Sequence, residues 1–94
     1  MLKVTVSYTG STKLLDSELG RFTEEVMEDV LVTARRKTPI QSGNARRGWK
    51  QTGRGKRTQV ENRVPYIGRL DQGYSRQAPK GIVDPTINEV AKRN

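Results

Sequence analysis

Leu2, Val4, Val6 and Tyr8 alternate with Lys3, Thr5 and Ser7, the period-two pattern of a strand with one buried face. Gly10-Ser11 ends it. From about residue 13 to residue 37 the period changes. Leu15, Leu19, Phe22, Val26 and Val30, widened by Met27, Leu31 and Ala34, recur at intervals of three and four, which predicts one long amphipathic helix. Thr12 or Asp16 suits its N-cap, and Gly20 weakens its early turns by about 1 kcal/mol relative to alanine. Pro39 pushes Thr38 out of the helical region, so the helix is expected to stop near Lys37.

Residues 41–57 carry Gly43, Gly48, Gly53 and Gly55 among basic side chains, a composition that suits a loop or hairpin arm and not a core. Two extended pieces, about 48–52 and 58–64, flank Gly53-Arg54-Gly55-Lys56, so a flexible hairpin with a basic tip is expected. Trp49 is its only large apolar anchor and is expected to pin the hairpin to the core. After Pro65, a short helical turn over Tyr66 to Leu70 closes on Gly73. Asp84-Pro85 reads as an N-cap followed by proline at the first helical position, opening a helix to Lys92 that presents Ile87, Val90 and Ala91. No internal repeat is evident.

With 94 residues, an apolar fraction of 32% and a mean hydropathy of −0.81, the chain is one domain (1–94) with little apolar material for a core, and a partner or oligomer would help it. The charge is segregated. Residues 1–34 hold three basic groups against six acids, net −3, whereas residues 35–94 hold fifteen against four, net +11. Between Arg35 and Arg57 nine basic side chains occur without one acid, so this stretch is expected to meet something acidic. Cysteine and histidine are absent, which argues against disulfides, thiolate chemistry, imidazole bases and most zinc sites. No stretch approaches the roughly 18 apolar residues of a membrane span. No cofactor, small-molecule substrate or membrane partner is expected.

Arg35-Arg36-Lys37 falls in the last helical turn, where cations favour the exposed carbonyls by about 0.3–1 kcal/mol each. Glu24, Glu25, Glu28 and Asp29 read as a solvated face, since acid-base catalysis would need a pocket that separates two pKa values. The second basic group is Arg46, Arg47, Lys50, Arg54, Lys56 and Arg57, forming the basic arm at about 41–58. Six phosphates held there would give a log-log salt slope of roughly −5. Trp49 is the only aromatic within the arm, fewer than the stacking platforms of a dedicated single-strand binder. The glycine spacing from Gly48 to Gly53 resembles a phosphate loop, but Arg54-Gly55 stands where lysine and a hydroxyl residue are needed.

Taken in order, Ala34-Arg-Arg-Lys-Thr-Pro-Ile-Gln-Ser-Gly43, then Asn44 to Trp49, then Val60-Glu-Asn-Arg-Val-Pro-Tyr-Ile67, then Leu70 and Gly73, resemble the tail-completion or minor tail proteins of long-tailed bacteriophages. Thr38, Pro39, Ser42, Gly43, Trp49, Asn62, Pro65, Tyr66 and Gly73 carry the match. Ala78 to Val83 before a terminal helix is also similar to several phage neck and tail proteins. Ser42 stands where the family usually has threonine, and Asn44-Ala45 where it has a basic-aliphatic pair.

The resulting expectation is an α+β fold. A long helix packs on a small, mostly antiparallel sheet of the N-terminal strand and a protruding basic hairpin, with a short C-terminal helix. The resemblance implies a virion structural protein of the head-tail neck or tail end, with no catalysis. It would form a homo-oligomeric ring of six copies and meet the tail tube or tail terminator and the head-tail connector. Its basic arm would face those partners or make non-specific contact with DNA in the channel. It would reside in the virion, and in the host cytoplasm during assembly. The alternative is a small basic architectural nucleic-acid-binding protein. An enzyme would need a carboxylate-only site, such as a toxin-like nuclease, and no compact acidic cluster supports one.

Overall fold

Among the described residues three short strands, β1 (Leu2–Val4), β2 (Trp49–Thr52) and β3 (Gln59–Asn62), form an antiparallel sheet in the order β1-β3-β2. Four α-helices are found among the described residues: α1 (Asp16–Lys37), α2 (Gly43–Arg47), α3 (Ile67–Asp71) and α4 (Val83–Arg93). The computed structural model describes residues 1–5, 16–39, 43–73 and 78–93. Val6, Tyr8, Gly10, Ser11, Thr12, Leu15 and Ser42, together with the side chain of Asp16, lie outside the described residues.

Register separates the two faces of the sheet. Leu2 pairs with Asn62 and Asn62 with Trp49, while Val4 pairs with Val60 and Val60 with Gln51. These two rows share one face because directly opposed residues point the same way. Val4, Trp49 and Val60 on that face join Met27, Val30 and Ala34 of α1, with Ile67, Ile82 and Val90, in the core. Each large apolar side chain buried there contributes roughly 1.5–3 kcal/mol. On the other face Glu61 stands opposite both Lys3 and Lys50. It is almost fully covered and pairs with Arg63 at 3.3 Å.

Gly20 has a packing purpose beyond its low helix propensity. A Cβ there would sit 3.0 Å from the Cα of Gly55, so the bare backbone lets the hairpin tip lie against α1. Gly55 N–H donates to Glu24 Oε1 at 2.9 Å, and the tip winds into a 3-10 turn over Gly55–Arg57. The tip thus rests along the helix and is braced by an acid from the expected solvated face. Asp29 is likewise engaged. Its carboxylate accepts two hydrogen bonds from Arg93, and this hydrogen bonding holds the Arg93 guanidinium above its ordinary pKa.

Two further expectations change. Asp84 does not cap the last helix, because the helix already runs through it from Val83. Instead Asp71, at the end of α3, accepts hydrogen bonds from Ile82 N (3.0 Å) and Val83 N (2.8 Å) through one carboxylate oxygen. Tyr66, expected to open the short helical turn, instead precedes α3 as its capping residue and is 40% exposed, and Pro65 is exposed beside it. Ile67 is the residue of that turn that enters the core. Gly73 adopts the left-handed conformation, φ +90°, where a Cβ would strike the Pro79 carbonyl.

Candidate functional site

The end of α1 is closed by the side chains of Thr38, Arg46 and Trp49, which follow it in the chain. Thr38 donates its hydroxyl to Ala34 O at 2.7 Å and accepts the Trp49 indole N–H at 2.7 Å. Arg46 Nε donates to Thr38 O at 2.8 Å, and its NH2 reaches Arg36 O at 3.4 Å. The last carbonyls of a helix have no intrahelical donor, and here a hydroxyl and a guanidinium supply them. Arg35, Arg36 and Lys37 were expected to interact with these carbonyls from within the last turn. All three lie in that last turn, where Arg35 also donates to Trp49 O at 3.0 Å and Arg36 and Lys37 pair with Glu89 of α4.

Where a loop was expected over 43–47, the chain forms α2. Its one apolar side chain, Ala45, is fully buried, and Ala45 O accepts from Asn62 Nδ2 at 2.8 Å. Asn62 Oδ1 in turn accepts Val64 N at 2.9 Å. This buried amide joins α2 to the end of β3, a tertiary contact that local composition does not announce. Gly48 passes close to it, since a Cβ there would lie 2.6 Å from Val64 Cγ2 and 2.7 Å from Asn62 Oδ1. Of the residues that carried the resemblance, Thr38, Trp49 and Asn62 therefore belong to one buried joint around α2. Pro39 is buried beside it and Gly43 opens α2, whereas Pro65, Tyr66 and Gly73 serve the α3 turn.

The six residues of the expected basic arm divide into two groups. Arg46 and Arg47, in the last turn of α2, meet Arg35 and Arg36 of α1 across an open cleft of about 540 Å³ lined by these four side chains. Lys50, Arg54, Lys56 and Arg57 are exposed on the hairpin and do not line it. Arg35 and Arg36 are the cleft residues that sequence reasoning assigned only to a helix terminus. The available signal was Thr38-Pro39, which stops the helix and allows the next basic pair to fold back beside the first.

A second concavity, of about 250 Å³, runs between α1 and α4 at the edge of β1. Its wall is apolar and includes Val26, Met27, Val30 and Val90. Phe22 and Ile87 at its rim are 46% and 44% exposed. Comparison with protein-family models, with curated proteins and with solved structures finds no match.

Proposed function

We propose that this chain is a structural subunit of the head-tail neck or tail end of a long-tailed bacteriophage. In this reading it forms a homo-oligomeric ring that completes the tail and helps join it to the head, with no catalytic step. The observation that carries the assembly reading is the open apolar groove with Phe22 and Ile87 exposed at its rim. A neighbouring copy is its occupant. Glu18, Glu24, Glu25 and Glu28 are exposed on the same helix that ends in Arg35 and Arg36, so the acidic half of one α1 can approach the basic end of the next. Such a head-to-tail contact closes into a ring when its rotation permits.

The ordered residues that resemble phage tail-completion proteins give the assembly its biological setting. The cations Arg46, Arg47, Lys50, Arg54, Lys56 and Arg57 then form the surface that faces the DNA conduit or an acidic neighbouring ring. The partners are the tail tube or tail terminator and the connector, and the subunit resides in the virion after assembly in the host cytoplasm.

Mass measurement of the purified protein, alone and mixed with tail-tube or connector proteins of its phage, tests this reading. A closed oligomer or a stoichiometric complex is expected. A monomer that ignores those proteins and retards duplex DNA tightly at roughly 0.15 M salt would instead establish the architectural nucleic-acid binder.

A further inference from the structure

We infer that the cleft lined by Arg35, Arg36, Arg46 and Arg47 binds consecutive phosphates of a nucleic-acid backbone. The site shares Arg46 and Arg47 with the basic surface described above, but it requires neither a ring nor a phage partner.

The cleft brings four guanidinium groups together with no carboxylate in its lining. Their mutual repulsion makes an anion the natural occupant. Glu89, the carboxylate paired with Arg36, also pairs with Lys37 and Arg93, so its single charge is shared among three cations.

The guanidiniums are also held in place. Arg35 is bonded to Trp49 O, Arg46 to Thr38 O and Arg36 O, and Arg47 to Asn44 Oδ1 at 2.7 Å. Each arginine has five N–H donors, and these bonds use one from Arg35, two from Arg46 and one from Arg47. The remaining donors keep the planar fork that matches phosphate oxygens, with less side-chain freedom left to lose on binding.

A helix C-terminus ordinarily repels anions through its exposed carbonyls. Here Ala34 O, Arg36 O and Thr38 O already accept hydrogen bonds from Thr38 and Arg46, which reduces that opposition. A carboxylate would match only part of four guanidiniums, whereas duplex DNA presents one charge per about 1.7 Å of its axis. The lining is made of four arginines with no carboxylate, and contacts from arginine to phosphate oxygens fix the position of a backbone.

Anisotropy of a short labelled duplex over a salt series tests this. Four phosphate contacts predict that affinity falls about 150-fold between 50 and 200 mM salt, and two contacts only about 12-fold. The wild type should show the steeper dependence and Arg36→Gln/Arg47→Gln the shallower one. Arg21→Gln/Lys92→Gln removes the same charge from exposed positions outside the cleft and should keep the steep dependence. Arg36→Lys/Arg47→Lys keeps the charge but loses the fork, and should retain the slope with a few-fold weaker affinity. Thermal melts establish that each variant is folded. The inference is overturned if the glutamine pair leaves the slope unchanged, if the duplex does not bind at low salt, or if polyglutamate displaces it as well as polyphosphate does. Failure of the ring reading appears separately, as a mass measurement without oligomer or complex.

Discussion

The Trp49 indole N–H donates to the Thr38 hydroxyl at 2.7 Å, and both side chains are almost wholly removed from solvent. This bond ties the first residue of β2 to the residue that ends α1. The same hydroxyl donates to Ala34 O, so one small side chain both closes the helix and holds the hairpin.

Thr38→Val keeps the shape and removes the hydroxyl, leaving a buried indole N–H without its acceptor. A loss of about 2–3 kcal/mol is expected, because an unsatisfied buried donor carries its full desolvation penalty. Trp49→Phe added to Thr38→Val should destabilise by less than the two single changes summed, with a coupling of about 1 kcal/mol. Urea titration of the four-member cycle measures this, and strict additivity would show that the two groups do not act together.

Gly48→Ala and Gly68→Ala should move stability in opposite directions. A Cβ at residue 48 meets Val64 and Asn62 at the buried joint, whereas a Cβ at residue 68 meets nothing within 4 Å. Overpacking at Gly48 should cost about 1–3 kcal/mol. Gly68 lies within α3, where alanine is favoured by roughly 0.5–1 kcal/mol. For a domain of 94 residues, each kcal/mol appears as a melting shift of about 4–8 °C.

Asp71→Ala removes the acceptor for both Ile82 N and Val83 N at the start of α4. The expected loss is about 1–2 kcal/mol, as for other N-terminal caps. Asp71→Asn keeps an acceptor oxygen and should recover most of it. Asp84→Ala, in the first turn and exposed, should change stability by less than either. Amide exchange in α4 reports the difference directly, and equal effects at residues 71 and 84 would assign the cap wrongly.

Glu89→Gln releases Arg36, Lys37 and Arg93 from their shared carboxylate. These pairs are partly exposed, so stability should fall by no more than about 1 kcal/mol. Duplex binding should strengthen a few-fold, because the carboxylate beside the arginine cleft is gone. Weaker binding by this variant, in the anisotropy titration, would count against the cleft as the phosphate site.

The alternation of Leu2 and Val4 with Lys3 and the three-and-four spacing from Leu19 to Ala34 were enough to predict a strand and a long helix, since burial of one face repeats with the period of the backbone. Thr38-Pro39 marked the helix end for an equally local reason. The α2 helix was not legible in the same way. Its support is the bond from Asn62 to Ala45 O, formed across 17 residues of chain, and its glycine-rich, basic composition resembles a loop. The position of the hairpin tip was hidden too, because Gly20 reads locally as a weak helix residue and only its contact with Gly55 shows what its missing side chain allows.

Charge followed the same division. By itself the sequence determined that residues 35–57 are acid-free and strongly basic, because formal charge is a property of composition. Only the tertiary structure decided which of those cations act together. Folding back at Thr38-Pro39 places Arg46 and Arg47 beside Arg35 and Arg36 and leaves Lys50, Arg54, Lys56 and Arg57 on the hairpin. Electrostatic interaction depends on distance through space, and eleven residues of chain separate Arg35 from Arg46 until α2 packs against the end of α1.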